Sequence, residues 1–243
     1  MQFRFDANQE FQQRAIASVV DVFQGMTRIA RRSTVNMLGT SVDFDTGHTA
    51  IDPVKLLANI RAVQRANGLV EDDGLKSIIQ SADVGGKTRE VSFPNLTVEM
   101  ETGTGKTYVY LRTAMELNRR YGLKKFIVVV PSVAVREGVL KTFQMTKGHF
   151  AELFDNEPYR FDVYDSKNLN RLHGFTEDFD VGFMVMTIDS FNKADNVIRS
   201  RTDRLQGRVG LHMLQAVQPV LILDEPQNME SATRKQALRR SPP

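Results

Sequence analysis

The chain has 243 residues, 41% hydrophobic, 25% charged and 8% aromatic, which excludes a fibrous, collagenous or disordered polymer and fits one large domain or a domain with an extension. Cysteine is absent, so disulfides, thiolate metal sites and a cysteine nucleophile are excluded, and the four histidines (His48, His149, His173, His212) are too scattered for a side-chain metal cage. A net charge of +3 with a pI near 9.2 is too mildly basic to announce a nucleic-acid binder.

The start Met1-Gln2-Phe3-Arg4-Phe5-Asp6 lacks the basic-then-apolar layout of a signal peptide, and no membrane-length apolar run follows, so a cytoplasmic chain with no membrane partner is expected. From Ala7 to Arg32, apolar residues at Phe11, Ile16, Val19, Val20, Phe23 and Met26 predict a helix, with Asp6 and Gln9 as its capping box. Ser33 to Thr49, with Gly39 and Gly47, reads as loop. Asp52-Pro53 opens a second helix through Leu56, Leu57, Ile60 and Val63, ending before Gly68. The acidic stretch from Glu71 to Thr88, bearing Gly85-Gly86, reads as a surface insertion. Residues 1–94 are thus expected to form a mainly helical segment.

Beyond residue 95, short apolar runs alternate with helical patterns. Strands are predicted at Leu96 to Met100, Phe126 to Val130, Phe161 to Tyr164, Phe183 to Thr187 and Val220 to Leu223. Helices are predicted at Lys106 to Tyr121, closed by Gly122, at Val133 to about Met145, at Ser190 to about Arg199 and from about Gln227. The alternation predicts an α/β domain over residues 95–243, a parallel sheet with helices on both faces.

Two constellations carry chemistry. Glu101-Thr102-Gly103-Thr104-Gly105-Lys106-Thr107 follows an apolar run and opens a helix, the context of a P-loop. Gly103 and Gly105 let backbone amides converge on phosphate at a helix N-terminus; Lys106 would reach the β- and γ-phosphates of ATP, and the Thr107 hydroxyl would ligate Mg2+. The usual pattern has glycine where Met100 stands. Downstream, Val220 to Leu223 ends in Asp224-Glu225-Pro226-Gln227. An acid there suits the magnesium shell, Asp224, and its neighbour Glu225 suits activation of the attacking water.

The order of these motifs, with Val128-Val129-Val130-Pro131-Ser132 and Met186-Thr187-Ile188-Asp189-Ser190-Phe191 between them, resembles the first, RecA-like motor domain of superfamily 2 helicases. The spellings METGTGKTYVYLRT, VVVPSVAVREGVLK, MTIDSFNK and ILDEPQNME resemble the Res subunit of type III restriction-modification enzymes over nearly the whole chain.

The resemblance implies that Phe11-Gln12-Gln13-Arg14-Ala15-Ile16 is a glutamine motif whose Gln12, or failing it Gln9, reads adenine. It implies nucleic-acid contacts from Pro131, Ser132 and Arg136, and from Thr187, Ser190 and Phe191, although Ser190 equally suits a helix cap. Double-stranded DNA and a modification (methyltransferase) subunit are the implied partners, ATP and Mg2+ the implied cofactors. It also implies a second motor domain supplying arginines, and then a nuclease. This chain is expected to end before both, hydrolysing ATP slowly alone and not cutting DNA. Another superfamily 2 DNA or RNA motor, or a non-enzymatic remnant, are the alternative readings. Ser231-Ala232-Thr233 has the letters of the helicase coupling motif but follows Gln227 too closely. The arginines Arg28, Arg31 and Arg32, and Arg199, Arg201, Arg204 and Arg208, read either as phosphate contacts or as solvated faces.

Overall fold

The computed structural model describes residues 5–29, 32–37, 40–45, 48–84, 87–192 and 210–229. In chain order these form α1 (Glu10–Val20), β1 (Thr27–Ile29), β2 (Arg32–Met37), β3 (Thr40–Asp45), β4 (His48–Ala50), α2 (Pro53–Ala66), β5 (Ser77–Val84), β6 (Lys87–Pro94) and α3 (Lys106–Tyr121). There follow β7 (Lys125–Val130), α4 (Val133–Leu153), β8 (Tyr159–Val163), α5 (Asn170–Glu177), β9 (Val181–Thr187), α6 (Asp189–Asn192), α7 (Gly210–Val217) and β10 (Val220–Leu223). The chain gathers into two compact units: Met1–Lys76 with Pro94–Lys124 and Gln144–Glu157, and Ser77–Phe93 with Lys125–Phe143 and Pro158–Pro243.

In the first unit α1 packs on α3. Helix α2 begins where its sequence says: the Asp52 carboxylate accepts from the amides of Val54 and Lys55, and Pro53 takes the first helical position, where no amide is needed. Leu56 and Ile60 of its buried face meet Val22. Helix α3 ends at Gly122, whose φ of 73° lets its amide close onto Asn118 O, and Arg119 and Arg120 in the last turn suit the negative end of the helix dipole. Thr49 Oγ1, fully buried, donates to Tyr121 O.

The sheet lies in the second unit. Its order is β10-β7-β9-β8, every neighbour parallel, with Leu223 opposite Val129, Val130 opposite Thr187 and Val163 opposite Val185. Central strands β7 and β9 are buried along both faces, which is why they read as continuous Val, Ile, Phe and Met runs rather than alternating ones. Ile127, Val129, Met184 and Met186 pack with Leu172 and Phe175 of α5 and Met213 and Leu214 of α7. On the alternate positions Phe126 stacks on Phe183 at 5.4 Å, and Phe183 meets the edge of Phe143 of α4 at 4.9 Å. The class is therefore α/β, with helices on both sides of a parallel sheet.

Local departures from expectation are informative. Helix α1 starts at Glu10, and Gln9 caps it without a side-chain bond; Asp6 instead takes the amide of Asn8, so the expected capping box does not form. The helix expected to run to Arg32 ends at Val20, and its expected last turns hold β1, which pairs with β4; the stretch read as loop, Ser33 to Thr49, holds most of the β2–β3 pair, and the stretch read as an insertion, Glu71 to Thr88, holds β5 and the start of its partner β6. Leu96 to Met100 is not a strand: it belongs to none of the described sheets, and Leu96 and Val98 are 38% and 45% exposed. An apolar run becomes a strand only when a partner's backbone completes its hydrogen bonds. The helix predicted from Ser190 is described only as α6, and the last predicted helix only as a 3-10 turn over Pro226–Met229. Arg31, Arg199, Arg201, Arg204, Arg208 and Ser231 to Thr233 lie outside the described residues.

Candidate functional site

The candidate residues fall into two groups. In the first unit, the loop ahead of α3 makes the turn that the two glycines permit. Gly103 has φ 82° and Gly105 φ 83° with ψ 37°, a left-handed conformation in which an ordinary L-residue would be strained. Thr104 closes the turn, its hydroxyl donating to Glu101 O at 2.7 Å. Lys106 Nζ lies 3.3 Å from the carbonyl oxygens of Met100 and Glu101, so its ammonium is already folded over the loop. Thr107 follows in the first turn of α3, where helix amides have no intrahelical acceptor and the dipole is positive. Thr102 and Gly103 are exposed, and a Cβ at Gly103 would meet nothing within 4 Å. Converging amides, a helix N-terminus and one ammonium fit a polyphosphate.

Gln12 belongs to this group although it lies on α1. It is 8% exposed, and its Nε2 donates to Thr104 O at 2.9 Å. Gln9, the alternative glutamine, is exposed as the N-cap residue.

Beside the loop lies a feature that sequence spacing could not show. Tyr108, next after Thr107, bonds His149 Nε2 through its hydroxyl at 2.8 Å, and Phe5 stacks on the Tyr108 ring at 6.1 Å with 4° between planes. Burial, helped by the nearby positive Arg112, holds His149 below its ordinary pKa of 6.5. Burial pushes the Tyr108 phenol up.

The second group stands at the carboxyl edge of the sheet in the second unit, where parallel α/β sheets commonly bind ligands. Pro131 and Ser132 leave β7, Thr187 to Ser190 leave β9, and Asp224 and Glu225 leave β10. Two backbone bonds extend the ladders past the strand ends: Ile188 N–H to Val130 O at 3.0 Å and Asp224 N–H to Val129 O at 2.9 Å. Asp224 is 8% exposed, while Glu225 is less buried and has φ 53°, unusual for a bulky residue. Ser132 caps α4, accepting the amide of Val135 at 3.3 Å. The hydroxyls of Thr187 and Ser190 are 3.2 Å apart. Arg136 lies close by in sequence but pairs with Glu137 at 2.8 Å. The side chain of Phe191 lies outside the described residues. Among the described residues no three His, Asp or Glu side chains gather as a metal cage. A magnesium ion carried by phosphates needs only one or two protein oxygens, so the absence of such a cage does not bear on one.

The family model for the Res subunit of type III restriction enzymes matches residues 9–239. The chain belongs to this family. It is 28% identical over 195 residues to the EcoP15I Res subunit of Escherichia coli, covering 71% of this chain and 20% of that protein. It is 25% identical over 244 residues to the EcoPI Res subunit of Escherichia phage P1, covering 92% and 23%. The StyLTI Res subunit of Salmonella typhimurium is 48% identical over 64 residues, covering 26% and 6%. The chain spans about a fifth of the length of the first two relatives. No solved structure matches it. As a Res-family chain with this sheet, it is a helicase-like motor domain of the RecA-like P-loop class. No helix among the described residues is long and apolar enough to cross a membrane.

Proposed function

We propose that the chain is the ATP- and DNA-binding first motor domain of a type III restriction enzyme. The observation that carries this is the loop itself, two left-handed glycines and Lys106 at the start of α3 within a Res-family sequence. In this reading the amides of Thr102 to Gly105 and the ammonium of Lys106 would hold the phosphates, Thr107 and Asp224 would each offer an oxygen to Mg2+, and Glu225 would accept a proton from the attacking water. Gln12 is the proposed adenine contact, carried against the loop by its bond to Thr104. Bound magnesium would neutralise charge developing on the phosphates.

Pro131, Ser132, Thr187 and Ser190 are the proposed DNA contacts, supported by their common place at one sheet edge; Arg136 joins them if DNA phosphate displaces Glu137. Double-stranded DNA, a modification (methyltransferase) subunit, ATP-driven translocation and a cytoplasmic location are proposals for the larger enzyme. Arginines worth about 10³ to 10⁵ in rate come from elsewhere in comparable motors, so these 243 residues alone should turn over slowly.

The test is magnesium-dependent binding of a fluorescent ATP analogue to this chain and to Lys106→Ala, with circular dichroism on both. Binding lost in a folded variant supports the reading. No binding by the folded parent at millimolar nucleotide rejects it.

A further inference from the structure

The second unit holds a cavity of about 310 Å³ at the amino ends of its strands, the end opposite Pro131 and Thr187. Small-molecule pockets begin near this size. The register puts Lys125 of β7 and Arg160 of β8 on either side of Gly182 of β9, and all three line the cavity. Two cations therefore flank a residue with no side chain.

Gly182 is what leaves the space. A Cβ there would lie 3.2 Å from a Phe175 ring carbon and 3.3 Å from Lys125 Nζ. With glycine in place Lys125, only 3% exposed, sits over the Phe175 ring at 5.5 Å and donates to Asp180 O at 3.1 Å. An ammonium buried beside a cavity is well compensated by an anion inside it.

The other charges at the cavity differ in how far they are already answered. Arg160 pairs with Asp178 at 2.9 Å and with Asp180 at 3.4 Å, so these three neutralise one another. Arg171 of α5 and Asp162 of β8 also line the cavity, and neither has an ion pair among the described residues. Asn168 and Asn170 add side-chain amides. Helix α5 starts there behind Leu169, a cap residue with no side-chain acceptor, which leaves first-turn amides and the positive end of the helix dipole to another partner.

We infer that this cavity is a site for a phosphate group that keeps one proton, either the free ion or the end of a small phosphate monoester. Lys125, Arg171 and the two asparagine amides would donate to its bare oxygens, and Asp162 would accept its P–O–H hydrogen. A carboxylate repels an oxyanion unless a proton lies between them. Sulfate and the phosphodiesters of a nucleic acid have no such proton, so the same Asp162 admits phosphate and turns them away. The site shares no residue with the phosphate loop and stands whether or not that loop binds nucleotide.

The experiment is an amide NMR titration of the 243-residue chain with inorganic phosphate, glycerol phosphate, sulfate and dimethyl phosphate, at constant ionic strength and about pH 6, near the second pKa of a phosphate monoester. The backbone amide of Gly182 and the side-chain amides of Asn168 and Asn170 report the site. Phosphate or its monoester should bind at least about tenfold more tightly than sulfate, the worth of a hydrogen bond to a charged group, and the better of the two names the source. Dimethyl phosphate should leave the reporters in place. Arg171→Gln, at an exposed position, should weaken phosphate about tenfold. Asp162→Asn should bring the phosphate-to-sulfate ratio near one, because its amide can donate to a sulfate oxygen, whereas Asp162→Glu keeps an acceptor and should retain the preference. Shifts that persist in Lys106→Ala belong to this cavity; shifts that vanish there belong to the loop and overturn the inference. Sulfate equal to phosphate in the parent, silence of all three reporters at millimolar phosphate, or an unchanged ratio in folded Asp162→Asn overturns it as well.

Discussion

The side-chain amide of Gln12 and the backbone of Gly105 fit around each other: Gln12 Nε2 bonds Thr104 O at 2.9 Å and stands 2.8 Å from the place a Cβ on Gly105 would occupy. A residue of the first helix thereby senses the conformation of a loop 92 positions later. Gly105→Ala should suffer twice, from a φ of 83° that costs an L-residue about 1–2 kcal/mol and from the clash with the glutamine. Adding Gln12→Ala should relieve only the second. A double-mutant cycle on thermal stability and nucleotide affinity should show coupling, and strictly additive losses would deny that the two residues are in contact.

Lys106 is partly exposed and, among the described residues, anchored only on loop carbonyls at 3.3 Å. Lys106→Ala should therefore change unfolding free energy by no more than about 0.5 kcal/mol. Nucleotide affinity should fall more than tenfold, since hydrogen bonds to charged groups contribute about 1.5–3 kcal/mol. Urea denaturation and a binding titration on one preparation separate the two effects, and a loss of stability matching the loss of binding would make the lysine a structural residue.

Glu225 has a left-handed backbone and is followed by proline, which further narrows its conformations. Replacing it with glycine should relieve the strain, worth roughly 2–4 °C in melting temperature per kcal/mol for a chain of this size, against whatever its side chain's own contacts contribute, which Glu225→Gln measures separately. Both should abolish hydrolysis in a full-length relative if Glu225 is the base. A melting temperature lowered by the glycine would mean the side chain stabilises the turn more than its backbone strains it.

His149 yields a pH prediction whose sign follows from its lowered pKa. Its unfolded form takes up a proton as pH drops below 6.5, before the folded form does, so the unfolded state gains protons and stability is lost in that range; above 6.5 the group contributes no slope. The stability advantage of the parent over His149→Gln should shrink as pH falls below 6.5. Paired melting curves across this range check it, and an advantage that grows toward acid would show that the folded ring holds its proton more tightly than the unfolded one.

Much of this could be read from residue order. Asp52-Pro53 and Gly122 mark the ends of α2 and α3 through local backbone chemistry, and the runs in β7, β9 and β10 are apolar because the strands are buried or nearly so. Short antiparallel pairings with few apolar residues are less visible, even between strands that are neighbours in sequence. The β2–β3 ladder sets Thr34 opposite Asp43 and Asn36 opposite Ser41, and the apolar alternation on its other positions, Val35 and Met37 on one strand and Val42 and Phe44 on the other, is only two residues long per strand. Leu96 to Met100 failed in the opposite sense, since its alternation promised a ladder that the described residues do not complete. Short helix α5 also lacked a signal, its buried Leu172 and Phe175 being too few for a periodic pattern. At the site, the glycines and Lys106 announced themselves by spacing, whereas Tyr108 and His149 meet only because α3 and α4 fold together.

The exposure of Leu96 and Val98 bears on how the chain must be handled. Five residues of alternating apolar character that join no sheet among the described residues are a template for another copy of the same segment, and intermolecular ladders of that kind grow into insoluble assemblies. Glu99 and Glu101 are the charges at hand to keep copies apart. Concentrated stocks should therefore precipitate more readily when Glu99 is replaced by valine, and salt, by screening the repulsion, should hasten the same loss.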